Sequence, residues 1–139
     1  MVRLLFVFVF LIGLFIAPAQ AGKTIDYDLG GPIGERIREM KNLDGVRIEG
    51  YCASACTLYL KLKNTCVTKN ARLGFHGPLG KDGKPLDFVS WNIVTNLMAD
   101  HYPPKLKKWF LEKGRFVSGR SIYIISGKRL IAMGVKECK

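Results

Sequence analysis

Acids, histidines and a second apolar run are scarce in this chain. Eleven Asp and Glu stand against 22 Lys and Arg among 139 residues, a formal charge of +11. That imbalance favours anionic partners such as phosphate-rich surfaces, lipid headgroups or acidic polymers. The basic residues are scattered without an Arg-rich block, however, so no specific nucleic-acid reader is expected and a solvated surface accounts for most of them. With two histidines in all, His76 and His101, the choice of a general base is narrow. Internal repeats and low-complexity segments are missing, which excludes a solenoid and leaves one domain. There is no Asn-x-Ser/Thr sequon, in keeping with a bacterial source.

One long apolar run is present, at the start. Arg3 supplies a positive charge, residues 4–16 are almost wholly apolar, and Ala17-Pro18-Ala19-Gln20-Ala21 offers an Ala-x-Ala pattern. This is the pattern of a secretory signal spanning 1–21. The run is short of the roughly 20 residues a membrane span needs, so an uncleaved anchor is the lesser alternative. The expected mature domain is 22–139, with a formal charge of +10 once Arg3 is removed. Export to the bacterial periplasm or beyond also interprets the four cysteines, Cys52, Cys56, Cys66 and Cys138. In an oxidising compartment an even count reads as two disulfides, with three connectivities open.

Along the mature chain, 23–29 alternates, with Ile25, Tyr27 and Leu29 on one side, and reads as a strand. Gly30-Gly31 breaks it, and Pro32 suits the first turn of a helix. Ile33, Ile37 and Met40 recur at helical spacing, with Glu35, Arg36, Arg38, Glu39 and Lys41 facing out. Val46 and Ile48 alternate in a second strand, which makes a βαβ unit with a parallel pair. A second helix begins at Ser54, with Leu58, Tyr59 and Leu62 as its apolar stripe. Short strands at 65–68 and 72–76 follow, then a Gly- and Pro-containing loop over 77–86. Asp87 caps a helix over 88–100, and Pro103-Pro104 opens another that buries Leu106, Trp109 and Phe110 and stops at Gly114. A strand at 121–125 and a short helix at 127–133 complete the reading.

The window 51–76 concentrates the chemistry. Ser54 sits between a strand and a helix start, flanked by Ala53 and Ala55. There its hydroxyl lies near the positive end of a helix dipole, and the first-turn amides can stabilise an oxyanion. Serine is equally a preferred helix cap, so the position alone admits a purely structural role. Gly30-Gly31 permits close backbone approach and leaves an N–H above the strand ends. His76 ends a strand and can act as a base, or simply satisfy a carbonyl. His101 lies in a polar helix end before two prolines and is less well placed.

The order of these features resembles the Clp protease proteolytic subunit and the wider crotonase-like fold. More closely, the chain resembles a family of exported Clp-protease-like proteins of bacteria. The resemblance rests on Cys52-Ala53-Ser54-Ala55-Cys56-Thr57, Cys66-Val67-Thr68 and Leu73-Gly74-Phe75-His76. The tail adds Tyr102-Pro103-Pro104, Trp109, Ser126-Gly127-Lys128-Arg129-Leu130 and Cys138, so it covers most of 25–138. It implies a reduced Clp/crotonase-like α/β fold: a βαβ core with packed helices, cross-linked by disulfides. It also implies a serine hydrolase of the peptidase kind, with Ser54 as nucleophile and His76 as base. The amides of Gly31 and Ala55 would form the oxyanion hole. Ser118 falls near the place of the acid that orients the histidine in the Clp subunit, with Asp87 and Asp100 as acids elsewhere.

The expected partner is a peptide or small ester-like substrate, with an anionic surface and self-association as further contacts, and no cofactor or metal is expected. An inactive binding module on the same fold is the alternative. Cys52, Cys56, Cys66 and His76 could also ligate zinc, but export favours disulfides. The expected pairing joins Cys66 to Cys52 or Cys56 and leaves Cys138 for the remaining cysteine.

Overall fold

The computed structural model describes residues 22–118 and 120–139, so the expected signal at 1–21 lies outside the described residues. Strand β1 (Lys23–Asp28), helix α1 (Ile33–Met40) and strand β2 (Val46–Ala53) form the βαβ unit, with β1 and β2 parallel. Strand β2 is the spine of a five-stranded mixed sheet. Its first half pairs with β3 (Cys66–Val67) and its second with β4 (Arg72–Phe75), both parallel. Strand β5 (Tyr123–Ser126) then adds antiparallel to β4, giving the order β1-β2-β4-β5. The two short strands do not pair with each other. The turn at 69–71 instead carries the chain from one half of β2 to the other, so β3 and β4 share one side of it.

Helices α2 (Phe88–Ala99), α3 (Pro104–Glu112) and α4 (Gly127–Ala132) pack around the sheet. Two of them start as their sequences dictate. Asp87 accepts hydrogen bonds from the Val89 and Ser90 amides, and Pro104 occupies the first turn of α3. Ile48, Leu58, Tyr59, Leu73, Phe75, Leu106 and Phe110 are fully buried. Burying each such side chain contributes about 1.5–3 kcal/mol. The Phe75 ring meets Tyr102 and Trp109 edge-on at 5.6 and 5.5 Å, which anchors the end of β4. Among the described residues no helix is long and apolar enough to cross a membrane.

Several expectations are corrected. Tyr27 and Leu29 are exposed at 70% and 61%, although Ile25 is buried. The register slips between Ile25 and Tyr27, where β2 accommodates an extra residue. Gly50 permits this, because a Cβ there would meet the Asp26 carbonyl oxygen at 2.0 Å. The extra residue on β2 brings Tyr51 opposite Tyr27, and the two exposed rings stack at 5.6 Å. Arg36, expected to face out, is buried. The segment Ser54–Lys61 is a 3₁₀ helix. The four cysteines pair as Cys52–Cys56 and Cys66–Cys138, so the expected pairing of Cys66 does not hold. Cys66 lies on β3, and Val67 bridges Glu137, which puts Cys138 within reach. Cys52 and Cys56 clamp the first turn after β2. With all four thiols consumed, no zinc site forms from Cys52, Cys56 and Cys66.

Candidate active site

Parallel strands end together, and β1, β2 and β4 deliver Gly30-Gly31, Ser54 and His76 to one edge of the sheet. Ala53 is in register with Gly74, so Ser54 and His76 each follow the end of neighbouring strands.

The serine turn is held in an unusual conformation. Ser54 has φ of +56°, a left-handed geometry uncommon for a residue with a side chain. Its hydroxyl does not cap the helix that follows. The N-cap role is therefore not what this serine does, and the half-buried hydroxyl makes no hydrogen bond among the described residues. Two tethers brace the turn. The Cys52–Cys56 bridge spans it, and the Thr57 hydroxyl donates to the Ser54 carbonyl at 2.7 Å. With that proton committed, Tyr102 donates to Thr57 Oγ1 at 2.8 Å. Burial pushes the Tyr102 phenol far above its ordinary range, which keeps it a donor.

Against this turn lies the glycine pair. Gly30 and Gly31 have φ of +97° and +116°. A Cβ on Gly30 would meet the Ala53 carbonyl oxygen at 2.7 Å and both the Ala55 nitrogen and Ser54 Cβ at 2.8 Å. Only glycine fits there. A Cβ on Gly31 would meet nothing within 4 Å, so this residue borders open space. The two amides expected to form the oxyanion hole therefore belong to backbone segments in direct contact.

A buried network missed by the sequence reasoning fixes the glycine turn. The Asp28 carboxylate accepts from the Gly30 amide at 2.7 Å and from Arg36 Nη2 at 2.9 Å, and Arg36 Nη2 also donates to the Gly30 carbonyl at 3.0 Å. Arg36 Nη1 donates to the Tyr59 hydroxyl and to Glu39 at 2.9 Å, and Lys23 reaches both of these. Burial works against the Arg36 charge, yet the Tyr59 hydroxyl, Asp28 and Glu39 hold it above its ordinary value. Burial likewise pushes the Tyr59 phenol up. The sequence carried one signal of this: position 36 falls inside the 33–37–40 apolar stripe of α1.

His76 is half-buried, and its Nδ1 lies 2.6 Å from the Gly77 carbonyl oxygen. A carbonyl can only accept, so Nδ1 carries a proton, and in the neutral ring Nε2 then holds the lone pair a general base requires. Neither alternative acid reaches it. Asp87 caps α2 and Asp100 pairs with Lys107 at 2.6 Å. Ser118, expected near the acid's place, lines a cavity with Gly77 and Pro78, immediately past His76. No hydrogen bond joins Ser54 Oγ to the His76 ring among the described residues. His101 donates to the Leu97 carbonyl at 2.7 Å, an exposed contact at the end of α2.

No group of three or more His, Cys, Asp or Glu among the described residues could hold a metal ion. No protein-family model matches this chain, and no curated protein matches it either.

Proposed function

We propose that this chain is an exported serine hydrolase acting on peptides or small esters, with a reduced Clp/crotonase-like core. Ser54 Oγ attacks the substrate carbonyl and passes its proton to His76 Nε2. The Gly31 and Ala55 amides stabilise the oxyanion, and His76 returns the proton to the leaving group as its bond to the carbonyl carbon breaks. Water, deprotonated by His76, then attacks the acyl-Ser54 ester and frees the acid and the Ser54 hydroxyl. The observation that carries this reading is the serine turn itself. A hydroxyl held at positive φ, free of any capping bond and pressed against a glycine turn, costs stability for which no structural role is evident. Strain of this kind concentrates at active sites. The Gly77 carbonyl serves His76 as orienting acceptor in place of a carboxylate. Catalytic hydrogen bonds are often long before substrate binds, so the absent Ser54–His76 contact is compatible with the role.

The two disulfides suit an oxidising compartment. Turnover of p-nitrophenyl esters and a fluorogenic peptide library by the oxidised mature chain tests the proposal. Hydrolysis lost in Ser54→Ala supports it; equal hydrolysis by that variant overturns it.

A second reading, an inactive binding module, draws on the neutral acceptor behind His76 and the basic surface. It predicts no turnover and salt-sensitive retention on anionic vesicles.

A further inference from the structure

Immediately beyond His76 lies a cavity of about 270 Å³, whose walls include Leu79, Leu86, Trp91, Arg115, Phe116 and Ser118. The walls are mostly apolar, and Arg115 is the one charged residue among the described residues that line them. Its guanidinium lies 5.2 Å from the centre of the Trp91 ring and 4.7 Å from that of Phe116. Its Nε is buried and has no hydrogen-bond partner among the described residues. None of the ion pairs among the described residues includes it. The other guanidinium with a buried environment, Arg36, is fully engaged by Asp28, Glu39, Tyr59 and the Gly30 carbonyl. A buried donor left without an acceptor costs stability, and an arginine held on aromatic faces is preorganised to receive one.

The segment bearing Arg115 is fixed to the residue after His76. Gly77 donates to the Val117 carbonyl at 3.0 Å, and a Cβ on Gly77 would meet the Arg115 carbonyl oxygen at 2.1 Å. Gly77 in turn accepts from the His76 ring. The unpaired guanidinium and the proposed base thus sit on two contacting stretches of backbone.

We infer that Arg115 is a specificity-determining residue that binds a carboxylate of the substrate in this cavity. A planar carboxylate matches the guanidinium fork. A phosphate dianion would find one cation and one hydroxyl, Ser118, with no lysine in the wall. Apolar walls around a single cation fit a carboxylate on a short hydrocarbon stem. An acidic side chain or a peptide C-terminus carries one. The inference rests on the hydrolase reading for the carboxylate belonging to a substrate.

The test reads binding, not turnover, in the oxidised Ser54→Ala chain, so it stands whether or not hydrolysis is found. Two-dimensional NMR follows the Arg115 Nε–H and Trp91 indole resonances. The probes are acetyl-Ala-Ala-Glu-amide, acetyl-Ala-Ala-Gln-amide, acetyl-Ala-Ala-Ala free acid and inorganic phosphate. The expected result is saturable shifts of both resonances with the Glu peptide, the free acid or both, which tells side-chain from terminal recognition. The Gln peptide should bind at least about tenfold more weakly, the scale of a charge-assisted bond. Arg115→Lys, which keeps the charge but not the fork, should weaken carboxylate binding while the rest of the spectrum is preserved. Binding of the Gln peptide as tight as that of the better-bound carboxylate probe, binding of phosphate tighter than that of both carboxylate probes, or no shift at Arg115 with any probe overturns the inference.

Discussion

Replacing Arg36 by methionine keeps most of the side-chain volume and removes the charge that holds the glycine turn. The Arg36 and Asp28 side chains are 9% and 17% exposed, and Asp28 would be left as an uncompensated, largely buried carboxylate. Breaking such a pair by removing one partner costs about 3–5 kcal/mol. Asp28 would keep its bond from the Gly30 amide, which places the expected loss near the lower end, about 3 kcal/mol. In a domain of this size that corresponds to a fall in Tm of roughly 12 °C. Calorimetry and urea titration of the oxidised chain measure it. Asp28→Asn in the Arg36→Met background should recover part of the loss, because the unpaired charge is gone. Amide exchange at Gly30 should also accelerate in Arg36→Met. A loss below about 1 kcal/mol, or additivity of the two substitutions within about 0.5 kcal/mol, would refute the network as the tether of the turn.

Three further outcomes follow from the same geometry. Gly30→Ala should destabilise more than Gly31→Ala, since both incur a positive-φ cost of about 1–3 kcal/mol but only Gly30 faces backbone atoms within 3 Å; paired urea midpoints decide it, and equal losses would refute the close approach. Removing the Cys66–Cys138 bridge, whose ends are 72 positions apart, should cost about 4 kcal/mol on chain-entropy grounds, against about 2 kcal/mol for Cys52–Cys56; Ser-for-Cys pairs in thermal melts check the order. The Lys23 hydrogen bond holds the Glu39 carboxyl below its ordinary 4.5, so its contribution is present above that pH and lost as pH falls through the folded value. The stability gap between wild type and Glu39→Gln should therefore be constant at pH 6–7 and close in acid, as urea midpoints at pH 6, 4 and 3 would report.

Local patterning made the first half of the fold legible. Alternation at 23–28, the Gly30-Gly31-Pro32 break and the 33–37–40 stripe yield β1, α1 and β2 without reference to the rest of the chain. What failed was set by distant partners. Tyr27 and Leu29 follow the alternation yet are exposed, and the bulge opposite Tyr27 depends on Gly50 of the neighbouring strand. Arg36 looked like one charge among five on a polar face, and its partners Asp28 and Tyr59 are 8 and 23 positions away. Four cysteines leave three pairings open, and the choice depended on β3 lying beside the C-terminal segment. The site was legible in its parts, as Ser54, His76 and the glycine pair each stand at a strand end. The sequence did not reveal that Ser54 leaves its helix uncapped, and it offered a backbone carbonyl behind His76 only as one of two readings; the Gly77 carbonyl stands there. Arg115 gave no signal beyond its neighbour Phe116, because Trp91 comes from a different helix.

The central claim is that Ser54 is a nucleophile, and covalent labelling reaches it most directly. Treating the oxidised chain with a fluorophosphonate probe and mapping the adduct by mass spectrometry should place it on Ser54. Ser54→Ala should abolish labelling, and His76→Ala should slow it by at least about 100-fold, the lower range for loss of a general base. An adduct on another residue, or labelling unchanged in Ser54→Ala, would contradict the account.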